Sequence, residues 1–136
     1  GTIGLSMAGQ AAKIIGAEIV PEAVENAKRN AMNNGFVNAE FICADASTVA
    51  EELAKNGPAP DIIVLDPPRK GCGAETLSAC VKMAPERIVM ISCNPATAAR
   101  DCKFLAENGY AVERVRAFDL FPRTRHVECV VLMTRL

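Results

Sequence analysis

One cysteine stands where an apolar run of the sequence gives way to a predicted helix. Residues 88–91 predict a buried strand, and Cys93 follows them two positions before Pro95, which suits the first turn of a helix. Backbone N–H groups at a helix start lack partners and carry partial positive charge, so they favour a thiolate over a thiol. Cys93 is therefore a candidate nucleophile.

Acidic side chains follow three other predicted strands. Glu18, Asp45 and Asp66 lie at the carboxyl ends of apolar runs, the edge at which parallel α/β sheets bind ligands. Glu18 can accept both hydroxyls of a ribose, and Asp45 can accept an adenine amino group. Because the complete glycine pattern that holds a pyrophosphate is not visible, the acids favour a cationic nucleoside without phosphate, such as S-adenosylmethionine. Capping or surface roles are the alternative for Glu18 and Asp45.

The third acid begins a loop of unusual composition. Residues 66–71 read Asp-Pro-Pro-Arg-Lys-Gly, and the two prolines fix the backbone and remove two N–H donors. Asp66 and the loop carbonyls are then displayed at a strand end, and a flat ring could be held against Pro67. The alternative is a plain turn that ends the strand, although such a turn needs neither two prolines nor a basic pair.

Strand-like and helix-like stretches alternate around these residues. The predicted strands are residues 13–17, 39–43, 61–65, 87–91, 111–117 and 127–132, and the predicted helices are residues 21–33, 47–56, 74–83 and 96–108. This βαβ rhythm predicts an α/β, Rossmann-like fold with a mostly parallel sheet and helices on both faces. Since residues 1–5 read as the turn and helix that follow a strand, we expect an N-terminally truncated domain whose first strand is missing.

Length and composition limit what the whole chain can be. The 136 residues, half of them apolar and with a formal net charge of −1, fit one domain over residues 1–136 that buries roughly two-thirds of its unfolded surface. The six cysteines show no CxxC spacing, and no segment resembles a signal peptide or a membrane span. We therefore expect a cytoplasmic protein without metal or membrane. Basic residues in the second half predict either a local basic face or an ordinary mixed surface.

Six segments together resemble the RNA uracil-5-methyltransferase family over the whole chain. They are residues 1–4, 16–20, 44–46, 66–71, 92–97 and 119–128, of which the last three are diagnostic in combination. The resemblance implies a class I methyltransferase domain that uses S-adenosyl-L-methionine to make 5-methyluridine in RNA, with 23S ribosomal RNA favoured over transfer RNA. By the same resemblance, the cofactor-binding positions are Thr2, Glu18, Asp45 and Asp66.

The family resemblance also assigns the chemistry. Cys93 is implied to add to carbon-6 of uracil, and Glu128 is implied to remove the carbon-5 proton after methyl transfer. The target base must be flipped out or presented from a loop, because pairing and stacking hide both carbons. Arg69, Arg123 and Arg125 are expected to hold the RNA phosphates around it.

Three other functions fit parts of the pattern. An amino-methylating nucleic-acid methyltransferase would bind an exocyclic amine at Asp66 and leave Cys93 structural, but Arg69 stands where that class usually has an aromatic residue. A truncated, inactive module that binds S-adenosylmethionine is the second. A nicotinamide-dependent oxidoreductase shares the fold class but needs phosphate-binding glycines. For His126, contact with RNA backbone or solvent is favoured over a catalytic role.

Overall fold

Strands and helices alternate through the computed structural model, which describes residues 1–124 and 126–136. Contacts between residues divide the chain into two units, Gly1–Val49 and Ala50–Leu136. The expected phosphate contact at Arg125 lies outside the described residues. None of the helices in the part of the chain that the structure describes is long and apolar enough to cross a membrane.

The first unit contains one pair of strands and the helices around them. Its elements are α1 (Thr2–Met7), a short 3-10 helix (Ala8–Gln10), β1 (Ile14–Glu18), α2 (Pro21–Asn33) and β2 (Ala39–Cys43). β1 and β2 pair in parallel along their full lengths. α2 starts at a proline, and its residues Val24, Ala27 and Ala31 recur every three or four positions and are buried on one face.

The second unit is built on a four-stranded sheet. Its strands are β3 (Ile62–Leu65), β4 (Arg87–Ser92), β5 (Tyr110–Phe118) and β6 (Glu128–Arg135), in the spatial order β3-β4-β6-β5. The helices are α3 (Ala46–Asn56), which begins in the first unit, α4 (Ala74–Met83) and α5 (Pro95–Glu107). β3 and β4 are parallel, whereas β6 runs antiparallel to both β4 and β5.

One face of this sheet forms the core of the second unit together with α4 and α5. Every second residue of β4 and β6 is buried, including Ile88, Met90 and Met133. They pack with apolar side chains of both helices, such as Leu105 of α5. The Tyr110 hydroxyl, at the start of β5, donates a hydrogen bond of 2.9 Å to the Pro85 carbonyl, so this polar group is satisfied inside the core.

The expected α/β class is confirmed, and α2, α4 and β2 have the predicted boundaries. The sheet differs from the expectation in its mixture of parallel and antiparallel pairs. A parallel crossover needs about a dozen residues or more, usually including a helix. Residues 119–127, which join β5 to β6, are too few for that, so the last two strands form an antiparallel pair.

Candidate active site

Cys93 lies between the last residue of β4 and the first turn of α5, the place that the sequence predicts for it. The side chain of Asn94 caps the helix by accepting a hydrogen bond from Ala96 N at 3.2 Å, and Pro95 is the first helical residue. Ser92 Oγ accepts a hydrogen bond from Asn94 N at 3.1 Å. The half-buried thiol therefore stands on a turn whose backbone is held from both sides.

The loop after β3 is hydrogen-bonded to this turn. Asn94 Nδ2 donates to the Arg69 carbonyl at 3.0 Å, and the Thr97 hydroxyl lies 3.2 Å from the same oxygen. Within the loop, Gly71 N donates to the Pro68 carbonyl at 2.8 Å. The backbone at Arg69 is thereby attached to the start of α5, close in the structure to the candidate nucleophile.

A buried carboxylate strengthens the attachment. Asp101 of α5 is 1% exposed, and its Oδ2 accepts a hydrogen bond from Cys72 N at 2.7 Å. Its Oδ1 accepts from Arg100 Nε at 2.9 Å and from Arg100 Nη2 at 2.7 Å. The same Nη2 lies 3.0 Å from the Lys70 carbonyl. We name these contacts of Arg100 and Asp101 with the loop the α5 brace.

Gly71 sits inside the α5 brace with a positive φ of 81°. A Cβ at this position would collide with Arg100 Nη2 and would lie 2.6 Å from Asp101 Oδ2. Both the backbone conformation and the space therefore require glycine here. The structure thus explains why the Asp-Pro-Pro-Arg-Lys-Gly segment ends in glycine, which the position of this residue in a strand-end loop did not indicate.

A surface cavity of about 350 Å³ opens beside the thiol. Its lining residues are Arg69, Cys93, Asn94, Pro95 and His126. Arg69 Nη2 lies 3.4 Å from His126 Nε2, so a guanidinium and an imidazole meet within the same cavity as the thiol. Neither Asp66 nor Pro67 lines it.

Glu128, the predicted base, is the first residue of β6. Ser92 pairs with Cys129 in the antiparallel ladder, and continuing that register places Glu128 opposite Cys93. The Cys129 thiol donates to the Ser92 carbonyl at 3.4 Å, which ties the two strand ends together at this point. The candidate nucleophile and the candidate base therefore occupy adjacent strand ends, and their catalytic roles stay predictions.

A tight turn before β6 displays a basic side chain. Thr124 N donates to the Phe121 carbonyl at 3.1 Å, which leaves Pro122 and Arg123 at the two central positions. The φ of Arg123 is +68°, a value for which this position of a turn usually has glycine. Arg123 is exposed in this sterically unfavourable conformation, the kind that concentrates at functional sites.

Three predicted cofactor residues lie in the first unit. Glu18 ends β1, and its Oε1 accepts a hydrogen bond from Val20 N at 2.9 Å. Asp45 follows β2, and its Oδ1 accepts from Ser47 N at 2.8 Å. Because β1 and β2 are parallel neighbours, both exposed acids stand at one edge of this sheet. Thr2, the third, is exposed in the first turn of α1.

The fourth predicted cofactor residue, Asp66, belongs to the second unit and directly follows β3. Partial burial raises the pKa of its carboxyl above the ordinary value. Pro67 comes next and is half-buried, which restricts the loop at the point where it leaves the strand.

The other four thiols of the second unit lie in or against its core. Cys80, Cys102 and Cys129 belong to the buried core, and Cys72 packs against it. Burial raises the pKa of Cys72 to about 12 and the pKa values of Cys80 and Cys102 to about 11. Thiols with such pKa values stay protonated at neutral pH and react slowly. Among the described residues, no group of three or more His, Cys, Asp or Glu side chains could hold a metal ion.

The sequence interpretation missed the residues that hold the site together. Asn94 could have been found, since an Asn directly before a helix-starting proline is a typical N-cap. Asp101 also had a signal, because it falls on the same helical face as Ala98 and Leu105, where a charged residue needs a buried partner. No sequence pattern indicated its partner, the backbone N–H of Cys72.

Solved structures place this fold among the methyltransferases. The Pyrococcus abyssi tRNA (uracil-54, C5)-methyltransferase, in complex with S-adenosyl-L-homocysteine, matches with a TM-score of 0.81 and 32% sequence identity, over 98% of this chain and 32% of that one. TrmN from Thermus thermophilus matches with a TM-score of 0.73 and 20% identity, over 100% of this chain and 41% of that one, and shows the same fold.

Sequence comparison gives the particular family. The family model described as tRNA (uracil-5-)-methyltransferase matches residues 1–136, and the chain belongs to this family. An uncharacterized RNA methyltransferase of Bacillus cereus is 52% identical over 136 residues, which is 100% of this chain and 30% of that protein. The chain thus spans about 30% of the length of the curated relatives it matches. The resemblance to the uracil-5-methyltransferases is confirmed.

Proposed function

We propose that this chain carries the catalytic site of an enzyme that methylates carbon-5 of a uridine in RNA through a covalent adduct with Cys93. One observation supports this more than any other: the thiol lines a cavity at a strand end, and the strand register brings Glu128 opposite to it. Membership of the uracil-5-methyltransferase family supplies the reaction class.

The thiol solves the central chemical problem of this reaction. Carbon-5 of uracil is a weak nucleophile, but addition of Cys93 Sγ to carbon-6 breaks the ring double bond and leaves an enolate whose carbon-5 can accept a methyl group. Glu128 then takes the carbon-5 proton, the double bond re-forms and the sulfur leaves as a thiolate. The α5 brace contributes by holding the loop next to the thiol in one conformation.

S-adenosyl-L-methionine supplies the electrophilic methyl group when it is bound. The acids at the strand ends fit such a ligand, since carboxylates accept hydrogen bonds from ribose hydroxyls and attract a cationic sulfonium. In the proposal Glu18 binds the ribose, Asp45 binds the adenine amino group, and Thr2 and Asp66 complete the set. The Pyrococcus relative, which was solved with S-adenosyl-L-homocysteine, supports this choice.

RNA is the proposed partner, bound at Pro67, Arg69, Arg123 and Arg125. Arg69 lines the cavity and Arg123 is exposed on its turn, so both can reach a phosphate outside the reacting base. We propose 23S ribosomal RNA ahead of transfer RNA, and a cytoplasmic location. Methylation assays with each purified RNA decide between the two substrates.

The decisive experiment uses the full-length protein with RNA that contains 5-fluorouridine. Fluorine cannot leave as a proton does, so the wild type should accumulate a protein–RNA adduct that survives denaturing electrophoresis. Cys93→Ala should give none, whereas Cys43→Ala, which removes an exposed thiol of the first unit, should give as much as the wild type.

The variant Glu128→Gln separates the two proposed roles. With ordinary uridine RNA it should transfer a methyl group and then release product at least about 100-fold more slowly, because general base catalysis contributes on that scale. Undiminished turnover by Cys93→Ala, or a methyl group found on an exocyclic amine, would rule out the proposed mechanism.

A further inference from the structure

β5 carries two arginines and an aromatic side chain on one face. In β6, Cys129 and Val131 face the buried core, so the alternate residues 128, 130 and 132 face the opposite side of the sheet. The β5 residues that pair with these three positions therefore also face away from the core. Those residues are Arg114, Arg116 and Phe118, which we name the β5 strip. All three are exposed, and Phe118 keeps 42% of its surface accessible.

The two arginines of the β5 strip have no partner within the described residues. Elsewhere in the second unit, Arg87 pairs with Glu86 and Arg100 pairs with Asp101. Within residues 1–124 and 126–136, neither the Arg114 nor the Arg116 side chain makes a hydrogen bond or ion pair. Their charges are therefore available to an anion from outside the described chain.

The spacing of the β5 strip suits a polyanion better than a single small anion. Alternate residues of a strand lie roughly 7 Å apart, so the two guanidinium groups form a row along the strand. Phe118 continues that row, and Phe121 adds a second aromatic ring with 46% of its surface exposed. A row of positive charge followed by exposed rings is the arrangement that binds single-stranded nucleic acid, phosphates to the charges and bases to the rings.

The β5 strip also leads to the candidate active site. Phe118 pairs with Glu128 in the β5–β6 ladder, and the β4–β6 register places Glu128 opposite Cys93. A strand of RNA that follows β5 from Arg114 to Phe118 would therefore arrive next to the proposed base and nucleophile.

We propose that the β5 strip binds the single-stranded RNA segment that flanks the target uridine, with Arg114 and Arg116 on its phosphates and Phe118 against a base. This inference rests on the proposed function, because it takes the substrate to be RNA. It adds a contact surface outside the cavity of Cys93, one that positions the strand while the flipped uridine reacts.

The test measures binding of the full-length protein to a fluorescently labelled single-stranded oligouridine over a range of salt concentrations. Arg114→Gln combined with Arg116→Gln should weaken binding about tenfold and flatten the slope of log affinity against log salt by about 1.4, since each neutralised phosphate of a single strand contributes about 0.7. A matched control, Arg29→Gln with Lys103→Gln, removes the same charge from exposed helix positions and should leave both quantities unchanged.

Further variants keep the result interpretable. Arg114→Lys with Arg116→Lys retains the charges and should restore the wild-type slope, which a folding defect could not do. Phe118→Leu should weaken binding about tenfold at every salt concentration with an unchanged slope, because stacking is not electrostatic.

Each outcome decides the inference. If a 5-fluorouridine version of the oligomer forms the Cys93 adduct but the glutamine variant binds like the wild type, the inference fails and the proposed function stands. If the wild type neither binds RNA nor forms the adduct, both fail. If the glutamine variant changes the oligomeric state in sedimentation instead of RNA affinity, the β5 strip is a contact between protein chains and the inference is wrong.

Discussion

The strand ends of the two units are built in different ways. In the first unit, Glu18 and Asp45 accept hydrogen bonds from backbone N–H groups two residues further along the chain. In the second unit, the loop after β3 is held by residues 25 to 30 positions away, such as Asn94 and Asp101. Short-range hydrogen bonds are present at the first edge, whereas hydrogen bonds to distant segments hold the loop at the second.

This difference matches the two roles proposed for the two units. A hydrogen bond within its own loop orients each acid, which would suit reversible binding of the small ligand proposed for it. If Cys93 is the nucleophile as proposed, it must meet a carbon atom at a fixed distance and needs neighbours that do not move, because small displacements reduce the rate strongly. We therefore expect substitutions in the second unit to alter stability and chemistry together, and those at Glu18 and Asp45 to alter ligand affinity alone.

The largest effect is expected at Gly71. Gly71→Ala places a side chain at a φ of +81° and against the α5 brace, so we expect it to lower the free energy of unfolding by about 3 kcal/mol. Gly109→Ala is the matched control, because its φ of +94° imposes a similar backbone cost but nothing lies within 4 Å of the added Cβ. It should cost only about 1 kcal/mol. Urea unfolding of both variants measures the difference, and equal costs would show that the α5 brace does not confine Gly71.

A somewhat smaller effect is expected at Asp101. Asp101→Ala leaves the Cys72 N–H without its acceptor, which should lower the free energy of unfolding by about 2 kcal/mol. Amide hydrogen exchange of Cys72 should accelerate about 30-fold for the same reason, since 1.4 kcal/mol corresponds to a factor of about ten.

The control for Asp101 lies on the same helix. Glu107 stands 3.8 Å from Lys103 in an exposed ion pair, so Glu107→Ala should change stability by less than about 0.5 kcal/mol. Loss of stability without faster exchange at Cys72 would mean that Asp101 supports the helix rather than the loop. In that case the contrast between the two units would be weaker than the hydrogen bonds indicate.

The same contrast separates what the sequence could predict from what it could not. Apolar runs and helix-ending residues predict α2, α4 and β2 well, because each is decided by neighbouring residues. The position of Cys93 was predictable for that reason, since a strand end and a helix-starting proline lie beside it. The positions of Glu18 and Asp45 at strand ends were predictable for the same reason, while their binding roles stay predictions.

Contacts between distant segments had no comparable signal. That Cys72 N needs Asp101 follows only from how α5 packs beside the loop, and a helical pattern does not state which loop it faces. The antiparallel pairing of β6 was also not predictable, because an apolar run that predicts a strand does not indicate whether that strand pairs parallel or antiparallel. The position of Glu128 opposite Cys93 depends on that pairing. The family resemblance could therefore suggest that the two side chains lie close together, but the spacing of residues along the chain could not establish it.

The smallest effect on stability is expected at the acids of the first unit. Glu18→Gln and Asp45→Asn remove charge from exposed side chains in local turns, so each should change the free energy of unfolding by less than about 0.5 kcal/mol. If they bind the cofactor as proposed, each should weaken S-adenosyl-L-homocysteine binding about tenfold, the value of one hydrogen bond to a charged group. Isothermal titration calorimetry of the full-length protein measures the loss.

Glu40→Gln provides the control for these two variants, because Glu40 is an exposed acid of β2 that pairs with Lys13 at 3.1 Å. It should leave both stability and ligand affinity unchanged. If all three variants weaken binding equally, the cofactor senses only the overall negative charge of the unit. If Glu18→Gln and Asp45→Asn destabilise the protein as much as Asp101→Ala does, the first unit also depends on its acids for folding. Only unchanged stability with weakened binding at Glu18 and Asp45 supports acids that serve the ligand rather than the fold.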